Sequence, residues 1–107
     1  MLRPRFTDAA RAELAHAIVW YRTEAGPERA TDFRNAIKRV LIRASRFPLS
    51  ARVIDRADGL DLHGFVVTHY PYIVITAPIE QELIVFAIAH QSQEPGYWKP
   101  RLAKVKP

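Results

Sequence analysis

The stretch YPYIVITAPIEQELIVFAIAHQSQEPGYW, residues 70–98, decides the fold of this chain. It contains two apolar runs rich in β-branched residues, 72–77 and 83–89, with a short polar turn between them. Runs of this length are too short for ordinary helices and are typical of buried strands. Because the second run is apolar at every position, it predicts a central strand that is covered on both faces of a sheet.

The residues before this stretch predict a short edge strand and a helical hairpin. Residues 2–6 form the edge strand, because its proline cannot donate to a sheet ladder. Thr7 is a suitable N-cap for a first helix from residue 8 to about 24. Gly26 ends that helix and Pro27 opens a second one to about residue 47, so the two helices are antiparallel. Both carry an apolar stripe at helical spacing.

The remaining segments predict a polar loop over 49–59 and strands from Leu60 onward. With Thr68-His69 as the hairpin connection, Phe65 pairs with Tyr72, and alternation separates two faces. We expect the aliphatic face (Leu62, Val66, Ile73 and Ile75) to pack on the helices and the aromatic face to lie opposite. Two helices cover only one face, so the C-terminal segment or another protein must cover the second. We therefore expect a substantial apolar patch on the isolated domain.

Composition indicates one soluble domain over residues 1–107, with a basic tail from about residue 99. Apolar residues make up 49% of the chain and charged residues 25%. The chain has no cysteine, no apolar run long enough to span a membrane and no secretion signal, so we expect a cytoplasmic location. A net charge of +5 and a pI of about 10.0 fit association with nucleic acid, a nucleoprotein machine or an acidic protein.

Four phrases along the chain resemble a known group of proteins. They are Trp20-Tyr21, Gly26-Pro27, YPYIV at 70–74 and AIAH…PGYW at 87–98. In this order, the chain resembles the RelE/ParE superfamily of toxins from bacterial type II toxin–antitoxin modules, on the ParE-like, plasmid-stabilisation side. The resemblance covers nearly the whole chain. It implies an α+β fold (β-α-α-β-β-β), with an N-terminal edge strand and a helical hairpin on one face of an antiparallel sheet.

The resemblance also implies partners and a mode of action. A cognate antitoxin, whose C-terminal segment folds on binding, would form a hetero-oligomer with the toxin. ParE-like members bind DNA gyrase without catalysis, whereas RelE-like members cut mRNA on the ribosome. We expect a gyrase-binding toxin that uses no cofactor, metal or membrane. The alternatives are a RelE-like mRNA endonuclease and a degenerate toxin that only binds its antitoxin.

Cutting RNA without a metal requires an acid, a base and cations for the phosphate. RelE-like members carry basic residues on the sheet for this purpose, but the corresponding positions here are His63-Gly64, Thr68-His69 and 91–94. No catalytic residue is therefore favoured. If the chain is a ribonuclease, the candidates are His63, His90, Tyr97 and Arg52.

Candidates for target or antitoxin contact are basic and aromatic. Three arginines of the second helix at i, i+4, i+7 spacing form one ridge, which is either a solvated face or a contact for phosphates or an acidic partner. Trp98 is predicted to anchor the C-terminus to the sheet, and Tyr97 either to do the same or to stack on a base. The tail that follows is basic through Lys106. The full set is Trp20, Arg39, Arg43, Arg46, Arg52, Phe65, Tyr70, Tyr72, Tyr97, Lys99 and Arg101.

Overall fold

A helical hairpin packs on one face of a five-stranded sheet in the computed structural model. The structure describes residues 1–104, apart from the side chains of Ala57, Ala103 and Lys104. The strand order is β1-β5-β4-β3-β2, with β1 parallel to β5 and the other neighbours antiparallel. The elements are β1 (Arg3–Phe6), α1 (Asp8–Ala25), α2 (Pro27–Arg46), β2 (Val53–Ala57), β3 (Leu60–Val66), β4 (Tyr72–Ile79), β5 (Glu82–His90) and a 3₁₀ helix (Lys99–Lys104).

Local capping signals position the helical hairpin. The hydroxyl of Thr7 accepts a hydrogen bond from Ala10 N at 3.1 Å, which satisfies one of the free amides at the start of α1. Gly26 has a φ of 96°, a conformation that favours glycine, and Pro27 begins α2 immediately afterwards. The α+β class, the N-terminal edge strand and the hairpin on one face of the sheet are confirmed.

The sheet has one more strand than the sequence predicts. The predicted loop over 49–59 is wrong, because Val53–Ala57 form β2, which pairs antiparallel with β3. A register shift between Val53 and Asp55 interrupts the alternation of β2 and weakens its sequence signal. The side chain of Ile54 packs against the apolar cluster on the sheet face opposite the helices, called here the far face.

The pairing of β3 with β4 is shifted by two residues from the predicted register. Phe65 pairs with Val74 rather than with Tyr72. The connection spans residues 67–71 instead of a two-residue turn, because Val67 N donates to Tyr72 O at 3.0 Å. His69 has a φ of 71° within this connection. Turn length sets register, and a longer turn moves every cross-strand pair.

The predicted assignment of faces is reversed. The helices cover the face with Phe65 and Val74, whereas Leu62 and Ile75 lie on the far face. The helices themselves supply aromatic side chains to the first face. Tyr21 of α1 lies with its ring centroid 5.3 Å from that of Tyr70. Alternation identifies two apolar faces but does not tell which one meets the helices.

The chain itself covers a large part of the far face. Side chains of Leu62, Ile84 and Phe86 are fully buried there. Trp98 and Leu102 of the C-terminal segment pack on this cluster and are themselves 9% and 3% exposed. Of the two covers expected for the second face, the C-terminal segment is the one that the structure shows on this cluster. Trp98 anchors the C-terminus, and residues 99–104 form a 3₁₀ helix.

Candidate partner-binding site

An open groove lies between α1 and the second half of β5. β1 pairs with β5 only over residues 82–85, so the outer edge of β5 beyond them has no neighbouring strand within residues 1–104. The groove encloses about 680 Å³. It is lined by Ala12, Glu13, His16, Ala17, Trp20, Tyr21, Pro71, Tyr72, Ile88, His90, Ser92 and Gln93.

Aromatic side chains form one wall of the groove. Trp20 is 52% exposed and packs edge-on against Tyr21, with ring centroids 5.1 Å apart. Tyr72 and His90, which also line the groove, form another edge-on pair at 5.0 Å. Tyr21 also contacts Phe33 of α2, which ties the wall to the core. Trp20 is thus a large apolar side chain held on a rigid support, the kind that anchors protein partners.

Side chains satisfy the backbone at the open edge of β5. Gln93 Oε1 accepts from His90 N at 2.8 Å. His90 Nδ1 accepts from Ser92 N at 3.0 Å, so the neutral ring carries its proton on Nε2. Glu13 Oε1 accepts from Ile88 N at 3.0 Å. The edge therefore offers side-chain contacts more readily than free amides for strand pairing.

Glu13 joins α1, β5 and the C-terminal segment. The hydroxyl of Tyr97 donates to Glu13 Oε2 at 2.6 Å. Arg101 donates to both carboxylate oxygens, at 3.0 and 3.1 Å, and its guanidinium lies 5.0 Å from the centre of the Tyr97 ring. Arg101 also donates to Phe86 O at 2.8 Å. Burial and the hydrogen bond to Glu13 raise the pKa of Tyr97 well above its ordinary value, so the phenol stays protonated at neutral pH.

Residues 5–95 match the family model described as the ParE toxin of the type II toxin–antitoxin system parDE. The chain belongs to the ParE toxin family. The structure is also similar to a solved chain from the "Chromosomal ParDE TA system from P. aeruginosa", with a TM-score of 0.69 and 18% identity. The match covers 84% of this toxin and 96% of that chain. No curated protein sequence matches.

The family match confirms the resemblance drawn from the sequence, and the protein is a toxin of a type II toxin–antitoxin system. At 18% identity the structural match shows the shared fold. None of the helices in the described part of the chain is long and apolar enough to cross a membrane.

The toxin does not bring its ribonuclease candidates together. His63 is 4% exposed, and its Nδ1 donates to Ala51 O at 2.8 Å. The hydroxyl of Tyr97 donates a hydrogen bond to Glu13 of α1. Only His90 and Arg52 share a cavity, one of about 480 Å³ on the far face. An acid, a base and a phosphate-binding cation therefore do not converge among these four residues.

Two of the predicted contact residues are buried. Phe65 is 2% exposed and Tyr70 is 6% exposed, so neither reaches a partner. Tyr70 instead donates a hydrogen bond to Asp32 on α2. Burial and this hydrogen bond raise the pKa of Tyr70. Both side chains are covered in the free toxin, because the helices pack on the aromatic face of the sheet.

The remaining candidates lie at the surface in different places. Trp20 and Tyr72 line the groove, as described above. Lys99 pairs with Asp55 at 3.3 Å and so helps to hold the C-terminal segment, as Arg101 does. Lys106 lies outside the described residues. The arginines of α2 and the following loop, Arg39, Arg43, Arg46 and Arg52, are exposed.

Sequence reasoning missed two groove residues, Glu13 and His16. Glu13 lies directly before Leu14 of the apolar stripe of α1, where an acidic side chain close to the sheet needs a partner. The basic tail supplies that partner in Arg101. His16 has no comparable signal in the sequence, because an exposed polar residue on a helix such as α1 is ordinary.

Proposed function

We propose that the groove between α1 and β5 binds a segment of the cognate antitoxin, and that the free toxin binds DNA gyrase and does not cut RNA. The observation that carries the antitoxin proposal is the half-exposed Trp20 beside the open edge of β5. Exposed apolar patches of this kind mark protein interaction sites. Family membership supports a partner of this class.

The shape of the groove suits an amphipathic segment that folds on binding. Small side chains at Ala12 and Ala17 leave room on the α1 side, while Trp20 and Tyr72 offer broad apolar contact. Such a segment would bury its apolar side chains against these aromatic rings and keep its polar face in water. The ordering cost of a disordered tail would be offset by this burial.

The gyrase proposal rests on the dispersed ribonuclease candidates together with the family. His63 is buried and Tyr97 is engaged by Glu13, so neither is free to act on a phosphate in this arrangement. The resemblance to ParE-like toxins implies gyrase binding for this chain. A binding mode of action requires a recognition surface and no assembled catalytic group.

An affinity measurement with two variants, each with one alanine of α1 replaced by arginine, tests the antitoxin site. Ala12→Arg fills the groove, whereas Ala15→Arg places the same charge on an exposed position of α1 that does not line it. We expect Ala12→Arg to weaken binding of the protein encoded by the adjacent reading frame by at least about 10-fold, because the new side chain occupies space that the bound segment needs. Ala15→Arg should change it by less than about 2-fold. Equal losses would contradict the groove assignment.

Target assays test the mode of action. Purified gyrase should lose supercoiling activity and accumulate cleaved plasmid when the toxin is added, while mRNA on translating ribosomes stays intact. Cut mRNA with unaffected plasmid would contradict gyrase binding and favour a RelE-like endonuclease. Growth that is unimpaired by induced, folded toxin would favour a degenerate toxin that only binds its antitoxin.

A further inference from the structure

The positive charge of the toxin is concentrated in one stretch. Residues 33–54 contain six of the 16 cationic residues and none of the 11 acidic ones, so this stretch accounts for the whole net charge of +5. All six side chains are exposed, and five of them lie on α2. We call them the basic surface: Arg34, Lys38, Arg39, Arg43, Arg46 and Arg52.

The ion pairs that the structure shows all use cations outside this surface: Arg5–Glu82, Arg56–Asp61, Lys99–Asp55 and Arg101–Glu13. The guanidinium of Arg43 lies 5.8 Å from the centre of the Phe65 ring, which orients it without neutralising it. The charges of the basic surface therefore face solvent.

The stability of α2 does not explain why most of these cations are present. Arg43 and Arg46 lie in the last turn of α2, where a positive charge stabilises the helix dipole. Arg34, Lys38 and Arg39 lie outside that turn and gain nothing from it. Like charges at i, i+4, such as Arg34 with Lys38 and Arg39 with Arg43, destabilise an isolated helix. The pattern costs helix stability, and an external anion would relieve that cost.

We infer that the basic surface binds the phosphate backbone of duplex DNA, a contact beyond the antitoxin and gyrase proposals above. Its cations on α2 extend for about 18 Å along the helix axis at 1.5 Å per residue, a length over which DNA presents several phosphates. The centre of a protein interface is apolar and poor in charge. Between the α2 cations only Ile42 is a large exposed apolar side chain; Phe47 and Leu49 lie beyond the helix end.

The shape of this surface favours DNA over duplex RNA. α2 is 20 residues long, and its five cations are exposed to solvent. The major groove of B-DNA is wide enough for a helix to lie along its phosphate edges. The major groove of A-form RNA is too deep and narrow for side chains to enter.

Salt-dependent binding to a short fluorescent DNA duplex tests the inference with purified, full-length toxin. Each neutralised phosphate contributes about −0.9 to the slope of log K against log salt, so one phosphate contact for each of the five α2 cations gives an expected slope of about −4.5. Replacing Arg34, Lys38 and Arg39 by Gln should reduce the magnitude of the slope by about 2.7 and weaken binding by about 500-fold near 0.1 M salt. Circular dichroism verifies that the variant stays folded.

A control of equal charge replaces the exposed Arg3, Arg11 and Arg22 by Gln. We expect it to keep the slope of the wild type. Equal losses in both variants, absence of duplex binding at low salt, or equal affinity for duplex RNA would overturn the inference. Displacement of the DNA by polyglutamate as effectively as by unlabelled duplex would assign the surface to an acidic protein instead. Antitoxin affinity should be unchanged in the Gln variant, so the two proposals fail independently.

Discussion

Two apolar surfaces of this toxin differ in their exposure to solvent, and each contains one of its two tryptophans. On the far face, Trp98 is 9% exposed because it belongs to the C-terminal segment that closes the sheet. In the groove, Trp20 is 52% exposed and nothing in the described chain covers it. The difference teaches that an apolar surplus in a sequence does not by itself locate an interface. The part of the surplus that the chain cannot cover marks the partner site.

Glu13 stands at the boundary between these two surfaces. Its Oε1 accepts a hydrogen bond from Ile88 N at the open edge of β5. Its two carboxylate oxygens also accept hydrogen bonds from Tyr97 and Arg101 of the C-terminal segment. The same side chain thus limits the groove and fixes the closure of the far face. Substitutions in the groove, at Glu13 and on the far face should show whether the two surfaces are energetically separate.

The largest effect should separate the two tryptophans. Trp98→Ala leaves a cavity in a closed apolar cluster, so we expect it to lower the free energy of unfolding by about 3–5 kcal/mol. Trp20→Ala removes an exposed side chain and should cost less than about 1 kcal/mol. Urea denaturation of both variants measures the difference. Similar costs would show that the groove is part of the stabilising core.

The next effect concerns the carboxylate that holds the C-terminal segment. Glu13→Ala removes the acceptor of the Tyr97 hydroxyl and leaves Arg101 with only its bond to Phe86 O, and both side chains of the ion pair are less than 20% exposed. We expect a loss of about 3 kcal/mol in the free energy of unfolding. Glu24→Ala, at an exposed position of the same helix, should cost less than about 0.5 kcal/mol. A loss no larger than that of the control would mean that Glu13 does not hold the segment.

A smaller effect tests how tightly β2 packs on the far face. A Cβ at position 64 would lie 2.8 Å from Ile54 Cγ2 and 3.2 Å from Ile73 Cγ2. Gly64→Ala should therefore cost about 2 kcal/mol by overpacking. Adding Ile54→Ala removes the closest atom, so the double variant should be more stable than the sum of the two single losses predicts. Strict additivity in thermal denaturation would contradict the close approach.

The smallest effect is a dependence on alkaline pH. Because the pKa of Tyr97 is raised in the folded toxin, its contribution to stability is full below about pH 10, the pKa of an unfolded tyrosine, and declines above it. The stability advantage of the wild type over Tyr97→Phe should shrink by up to about 1 kcal/mol at pH 11, after allowance for solvent screening. Tyr21, Tyr70 and Tyr72 also have raised pKa values, but they are common to both proteins. An advantage independent of pH would contradict the raised pKa of Tyr97, which burial and the bond to Glu13 cause together.

The elements that could be predicted from the sequence depend on local signals. Thr7 as a cap and the Gly26-Pro27 junction fix the helical hairpin within a few residues of chain. The two long apolar runs predicted β4 and β5 by their composition alone. Short-range chemistry decides these features, so the sequence reveals them directly.

The features that escaped prediction depend on distant contacts. The choice of face depends on which apolar side packs with Tyr21 of α1, a contact that no period within a strand encodes. The bond between Glu13 and Arg101 joins residues 88 positions apart. It helps to hold the predicted basic tail against the far face of the sheet. The register depended on the length of the 67–71 connection, where an irregular turn replaced a two-residue one.

Hydrogen exchange of the toxin alone and bound to its cognate antitoxin tests the central claim most directly. The account predicts that antitoxin protects the groove, at residues 12–21 and 88–93, and leaves the already closed segment 97–104 unchanged. Protection centred on the far face, together with faster exchange in residues 97–104, would show that the antitoxin displaces the C-terminal segment. That result would contradict the division between a closed far face and an open groove.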